Sequence, residues 1–169
     1  MKQQRTFSPD LFYDIFQSPV GALYLLFTGK TLTGISFIKP DINVRRGNAP
    51  ALIKKELTEY FKNGRDSFTQ GIAFTRGTEF EQKVWFALKD IPFGETRSYK
   101  WLAGKAGRPN ACRAAGRALG RNPVPIVFPC HRVIEADGSI GGYSAGIDIK
   151  RRLLDIEYYI KLNLGGSHE

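Results

Sequence analysis

Residues 129–132 read Pro129-Cys130-His131-Arg132 and set a thiol beside an imidazole and a guanidinium. Cationic neighbours favour thiolate over thiol, so Cys130 has the surroundings of a sulfur nucleophile. A lone cysteine can equally be a small buried hydrophobe; the argument for chemistry is how the chain holds it. Pro123, Pro125 and Pro129 bracket the apolar run 124–128. Proline withholds ladder N–H groups, which predicts a rigid, extended passage that fixes Cys130 in place. Adjacent side chains of extended chain point to opposite sides, so His131 is expected to take the thiol proton through a bridging water. A histidine in that role needs a carboxylate to set its tautomer, and the C-terminal segment offers Glu157 and Asp155. Zinc is the competing use of Cys and His. With only Cys112, Cys130, His131 and His168 available and no Cys-x-x-Cys pair, the expectation is neither metal nor cofactor.

Charge points to a second activity. Lys and Arg total 25 against 16 Asp and Glu, a net charge of +9 with pI near 9.7, which suggests an anionic partner. From 97 to 132 the chain carries Arg97, Lys100, Lys105, Arg108, Arg113, Arg117, Arg121 and Arg132 and no acidic residue. Arg113, Arg117 and Arg121 recur every four residues, one cationic stripe on a helix whose other side is alanine, suited to a phosphate backbone. A solvated helix face is the ordinary alternative. The missing acids and small side chains favour nucleic acid. Beyond Cys130, the loop 137–146 carries four glycines, whose tight turns expose backbone N–H groups to line a pocket.

Two successive patterns must position these groups. Residues 11–17, 22–27 and 32–38 are short apolar runs with turn residues between them, predicting an antiparallel meander. After the polar stretch 39–50, Ile53, Leu57, Tyr60 and Phe61 give helical spacing over 51–63, and 63–78 reads as a linker. Thr78 and Glu81 form a capping box for a helix ended by Pro92 and Gly94. Ser98 caps a short helix 99–106, Gly107 suits its C-terminal position, and Pro109 is allowed in the first turn of a helix reaching Leu119, a helix-turn-helix layout. Ile149, Leu153, Ile156 and Ile160 mark a last helix over 148–159.

At 169 residues and 42% hydrophobic, the chain has room for one ordinary domain or two small ones and excludes disorder. The charge-free run 15–29 falls short of a membrane span, and 1–10 has no apolar core of a signal peptide. Two cysteines are too few for a disulfide scaffold. The expectation is a soluble protein retained in the cell with both thiols reduced.

Taken together, these motifs resemble the O6-alkylguanine-DNA alkyltransferases, or methylated-DNA–protein-cysteine methyltransferases. The resemblance runs through Gly77-Thr78-Glu79-Phe80, Val84-Trp85, Ile91 to Tyr99, Arg113, Asn122-Pro123-Val124-Pro125, Pro129 to Val133, Gly142-Tyr143-Ser144, and Leu153-Leu154 with Glu157. Before residue 77 only the Ser18-Pro19-Val20-Gly21 hairpin and strand pattern agree. It implies an α/β (α+β) protein: a ribonuclease H-like small antiparallel sheet with a helix over 1–76, and a helical domain with a winged helix-turn-helix-like motif over 77–169. It implies direct-reversal repair, with Cys130 irreversibly taking the alkyl group of O6-alkylguanine; O4-alkylthymine is a second candidate substrate. His131 acts through water, Glu157 orients it and Asn122 fixes the turn before Cys130. The base is flipped out, with Tyr99 aiding rotation and bonding the guanine edge. Arg113 fills the gap, Arg117, Arg121 and Ser98 meet DNA, and Leu119 lies against groove and base. The carbonyls of Cys130 and Val133 bind the guanine amino group, Ser144 N–H binds O6, and Tyr143 is a wall. The partner is duplex DNA with alkylated guanine, met by a monomer away from membranes, in the cytoplasm at the nucleoid or in a eukaryotic nucleus. Cys112 stands where the family usually has alanine and is a candidate for adventitious alkylation, and the zinc of some relatives has no Cys or His before Cys112 to hold it. The rivals are a non-catalytic lesion binder, a helix-turn-helix regulator and a cysteine hydrolase.

Overall fold

The computed structural model describes residues 10–166, so the N-terminal reading at 1–9 and His168 lie outside the described residues. Strands β1 (Leu11–Ser18), β2 (Gly21–Thr28) and β3 (Thr31–Ser36) form the expected antiparallel meander. Its first turn is held by Ser18, whose Oγ donates to Gly21 O at 2.6 Å and accepts from Val20 N at 3.1 Å. A fourth strand, β4 (Arg45–Arg46), pairs parallel to β1 and gives the sheet order β3-β2-β1-β4. It lies in the stretch read as a polar loop, because two arginines carry no alternating pattern.

Leu23, Leu25 and Phe27 of β2 alternate onto one face, where helix α1 (Ala51–Asn63) covers them with Ile53, Leu57 and Tyr60, all fully buried. Each such side chain contributes about 1.5–3 kcal/mol of transfer free energy. The segment after α1 is more than a linker. Thr69 N and Gln70 N both donate to the buried Glu56 carboxylate, and Ile72 bridges alongside Leu32 of β3.

Helix α2 (Glu79–Leu88) starts at the reciprocal Thr78–Glu81 capping box. A two-residue strand β5 (Arg97–Ser98) leads into α3 (Tyr99–Lys105), with Ser98 Oγ accepting from Trp101 N at 3.1 Å. Helix α4 (Cys112–Gly120) begins three residues beyond Pro109, which therefore does not occupy its first turn. The chain first closes a turn in which Ala111 N donates to Arg108 O, and only then turns helical. Helices α2, α3 and α4 pack around Trp85, whose indole N–H donates to Ala118 O at 2.7 Å.

The passage before Cys130 is not extended. Phe128 N donates back to Val124 O, and Ile126 adopts φ +74°, which a β-branched residue rarely tolerates. Cys130–Arg132 form a 3-10 turn, followed by β6 (Val133–Ile134), which pairs parallel to β5. The prolines thus stiffen a folded loop rather than a strand. Helix α5 (Ile147–Gly165) runs past the expected end at residue 159. Its fully buried positions are Lys150, Leu153 and Glu157, while Ile149, Ile156 and Ile160 pack only partly against the core.

Gly77, just before the capping box, shows what the helical half requires of the backbone. It has φ +107°, and a Cβ there would lie 2.5 Å from the Trp85 ring. Gly77→Ala should therefore cost about 1–3 kcal/mol and lower the thermal midpoint by roughly 2–10 °C. Gly104→Ala, in open helical space, should leave the midpoint equal or slightly higher.

Candidate active site

Glu157 has no exposed surface, and every side of its carboxylate is engaged. Oε1 accepts from Tyr60 Oη at 2.7 Å and lies 2.6 Å from His131 Nε2. Oε2 accepts from Gly94 N at 3.1 Å, and the Arg132 guanidinium donates through Nε and Nη2. Burial alone would raise this carboxyl's pKa. The His131 and Arg132 charges and hydrogen bonds outweigh it and hold the group well below the ordinary carboxylate range. The same burial, with Glu157 beside it, pushes the Tyr60 hydroxyl well above its usual value, so it stays a donor.

Arg132 does not serve Cys130 as expected. Its Nη1 donates to Ile91 O at 2.7 Å and to Asp66 Oδ1 at 2.8 Å, and Asp66 in turn accepts from Phe93 N. It is spent on joining Glu157 to the segments before α2 and after it. Asp155, the other carboxylate considered, is exposed.

With Nε2 directed at the carboxylate, a neutral His131 carries its proton there and leaves the Nδ1 lone pair free. Nδ1 is buried and has no hydrogen-bond partner among the described residues. The neighbouring Cys130 is 4% exposed. Burial raises its thiol pKa, opposed by the Asn122 side chain and the Tyr143 hydroxyl that face the sulfur, and by the Lys150 charge. Asn122 also shapes the loop: Nδ2 donates to Phe128 O at 2.8 Å and Oδ1 accepts from Val124 N at 3.0 Å.

The sulfur opens onto a cavity of about 250 Å³ walled by Tyr99, Gly116 and Leu119 on one side and Gly142, Tyr143 and Ser144 on the other. That is below the ~300–1,000 Å³ of sites for drug-sized ligands, so the cavity suits a smaller group. Helices α3 and α4 supply one wall, and the glycine-bearing loop after β6 supplies the other. Val133 stands behind the wall, its carbonyl accepting from Lys150 Nζ at 2.7 Å. Lys150 is a site residue the sequence reading missed. It is 1% exposed, and its second bond, to Gly142 O at 3.0 Å, ties the Cys130 side of the cavity to the glycine loop. The signal was present: Lys150, Leu153 and Glu157 share one helical face, where two charged residues at core positions ask for an explanation.

The cationic face is smaller than the acid-free window suggests. Arg121 caps α4 rather than extending its stripe, and pairs with Glu81 at 3.0 Å. Arg97 pairs with Glu95 and Lys105 with Asp90, acids contributed from outside the window. Arg113 and Arg117 are exposed with no ion pair among the described residues. Ser98 spends its oxygen on capping α3, which aims Tyr99 at the cavity. Cys112 is half-buried in the first turn of α4, outside the cavity lining.

Residues 79–159 match the family described as 6-O-methylguanine DNA methyltransferase, DNA binding domain. The chain is 42% identical over 154 residues to a methylated-DNA–protein-cysteine methyltransferase of Methanosarcina acetivorans, covering 87% of this chain and 98% of that one. The chain belongs to the methylated-DNA–protein-cysteine methyltransferase family. A Mycobacterium tuberculosis member is 40% identical over 151 residues, covering 86% of this chain and 91% of its own length. Among solved structures, Mycobacterium tuberculosis OGT in complex with DNA superposes with a TM-score of 0.81 at 39% identity, covering 88% of this chain and 94% of that one. The O6-methylguanine-DNA methyltransferase of Pyrococcus kodakaraensis gives 0.66 at 28% identity, covering 87% and 98%. The α/β fold is therefore that of the methyltransferase family. Among the described residues no helix is long and apolar enough to cross a membrane.

A carboxylate held below its unfolded value adds stability above that value and loses it as pH falls through the folded one. Glu157→Gln should cost about 3–5 kcal/mol near neutral pH, since it leaves buried Arg132 short of its counter-charge. As pH falls below 4.5, the unperturbed value, the unfolded parent takes up a proton that folded Glu157 still refuses, so the gap between the two melting curves should narrow steadily towards the folded value.

Proposed function

We propose that the protein repairs DNA by direct reversal, moving the alkyl group of O6-alkylguanine irreversibly onto Cys130. What supports this is the buried thiol at the floor of a small cavity, next to a histidine whose free ring nitrogen is set by Glu157. A second support is the company of relatives named for this transfer.

In this mechanism a water between Cys130 and His131 Nδ1 passes the thiol proton to the imidazole. Glu157 then faces a developing imidazolium, whose charge it stabilises. The sulfur attacks the alkyl carbon in line; the S–C bond forms as the C–O6 bond breaks, and the electron pair stays on guanine O6. Protonation of the leaving guanine restores the normal base. The thioether on Cys130 is stable, so each molecule acts once. Tyr99 meets the flipped nucleotide, Tyr143 and Leu119 flank the base, the Ser144 N–H and the Cys130 and Val133 carbonyls read its edges, and Asn122 keeps the thiol in register. The Val133 carbonyl has a second lone pair besides the one used by Lys150.

Exposed Arg113 and Arg117 meet the duplex, with Arg113 filling the space the flipped base leaves. Arg121 and Ser98 contribute at the margin of that face. The division of labour is residues 1–76 as the supporting domain and 77–169 as the DNA-binding transfer domain, working as a monomer in the cytoplasm.

Intact mass after incubation with a duplex containing O6-methylguanine tests the reading. Expected is a gain of one methyl group per molecule, mapped to Cys130 and absent in Cys130→Ala. Repeated turnover, or label chiefly on Cys112, would overturn it.

A further inference from the structure

The loop that carries Tyr143 and Ser144 closes one turn of its own, Gly146 N donating to Tyr143 O at 3.0 Å, which fixes the backbone there but not the direction of the Tyr143 ring. Gly141 and Gly146 have φ of +69° and +101°, and Gly142 lies between them, so the backbone on both sides is permissive. The Tyr143 hydroxyl faces the Cys130 sulfur but is buried with no partner at hydrogen-bond distance among the described residues, so its polar tip pins the ring only weakly. Lys150 holds the backbone at Gly142. The ring needs something else.

That contact comes from the other half of the chain. Phe37, the residue after β3, meets Tyr143 edge to face with ring centroids 6.3 Å apart and an interplanar angle of 71°. Phe37 is itself well fixed. Ser36 Oγ donates to Ile38 O at 2.8 Å and accepts from Ile38 N at 3.0 Å, clamping the bend that presents the ring. Strand β3 is docked on the loop before Cys130 through Ile35 N and Pro123 O at 2.9 Å. Next to Phe37 a groove of about 470 Å³ runs between β3 and that loop, and it shares Ser144 and Gly120 with the cavity over Cys130. With Phe37 in place, Tyr143 rests against a ring; with Phe37 shortened, it has a way to swing towards the groove.

We propose that Phe37 is a positioning residue for alkyl transfer, setting the Tyr143 wall and so the size of alkyl group the cavity handles best. This rests on the reading of Cys130 as the alkyl acceptor. The sheet half of the chain then takes part in selecting the substrate as well as supporting the fold. A small misplacement of a pocket wall slows a tightly fitted reaction most, so a methyl group should suffer more than a bulky one when the wall retreats.

The test is single-turnover transfer from duplexes bearing O6-methylguanine or O6-benzylguanine, fitted separately for active fraction and rate constant. Phe37→Ala should slow methyl transfer roughly tenfold and benzyl transfer less, lowering the methyl-to-benzyl rate ratio. Phe37→Tyr, which keeps the ring edge, should retain the parent ratio. Phe37→Leu, which keeps apolar bulk but no ring, should retain the active fraction and still shift the ratio. A loss of active fraction with an unchanged ratio in both Phe37→Ala and Phe37→Leu would make Phe37 merely structural and overturn the proposal. Alkylation of a Cys130→Ala control would instead overturn the underlying reading of Cys130.

Discussion

A buried carboxylate has to be surrounded by charge and hydrogen-bond donors, or it does not stay ionised. Glu157 imposes that requirement on nearly every part of this molecule. Tyr60 comes from the helix that covers the sheet, Gly94 from the loop after α2, and His131 and Arg132 from the 3-10 turn that carries Cys130. Arg132 then reaches on to Asp66 and Ile91. Satisfying one anion thus fixes the relative placement of both halves of the chain. The position of Cys130 follows, because it precedes two residues that have no freedom left.

The same arrangement separates the roles of two cations that look alike in sequence. Arg132 is committed to two carboxylates, Glu157 and Asp66, and to the Ile91 carbonyl, whereas Lys150 donates to the Val133 and Gly142 carbonyls among the described residues and its charge favours the Cys130 thiolate. A cation twenty residues along the chain thus acts on the Cys130 thiol, while Arg132, two residues away, is taken up by Glu157 and Asp66.

Much of this was legible in the sequence where local chemistry decides structure. Thr78 and Glu81 satisfy each other's orphan groups whatever the tertiary context, and Ile53, Leu57 and Tyr60 can form one face only as a helix. The pairing of His131 with Glu157 rather than with Asp155 was also legible, because the motifs resembled a known family. Long-range pairing was hidden. Nothing near Arg121 announces Glu81, and nothing in the 39–50 stretch announces β4. The passage 124–128 misled because prolines imply stiffness without saying whether the stiff segment is straight, and Ile126 takes a conformation that local preference argues against. Lys150 and Phe37 owe their importance wholly to residues distant in sequence.

The central claim is that Glu157 sets the tautomer of His131, leaving Nδ1 as the proton acceptor beside Cys130. Nitrogen NMR of the unreacted protein labelled with 15N-histidine, assigned with a His131→Gln variant, measures this directly near neutral pH. The account predicts Nε2 protonated and Nδ1 carrying the lone pair in the neutral ring. A neutral His131 with its proton on Nδ1 would contradict it, because that tautomer has no lone pair on Nδ1 to take the thiol proton.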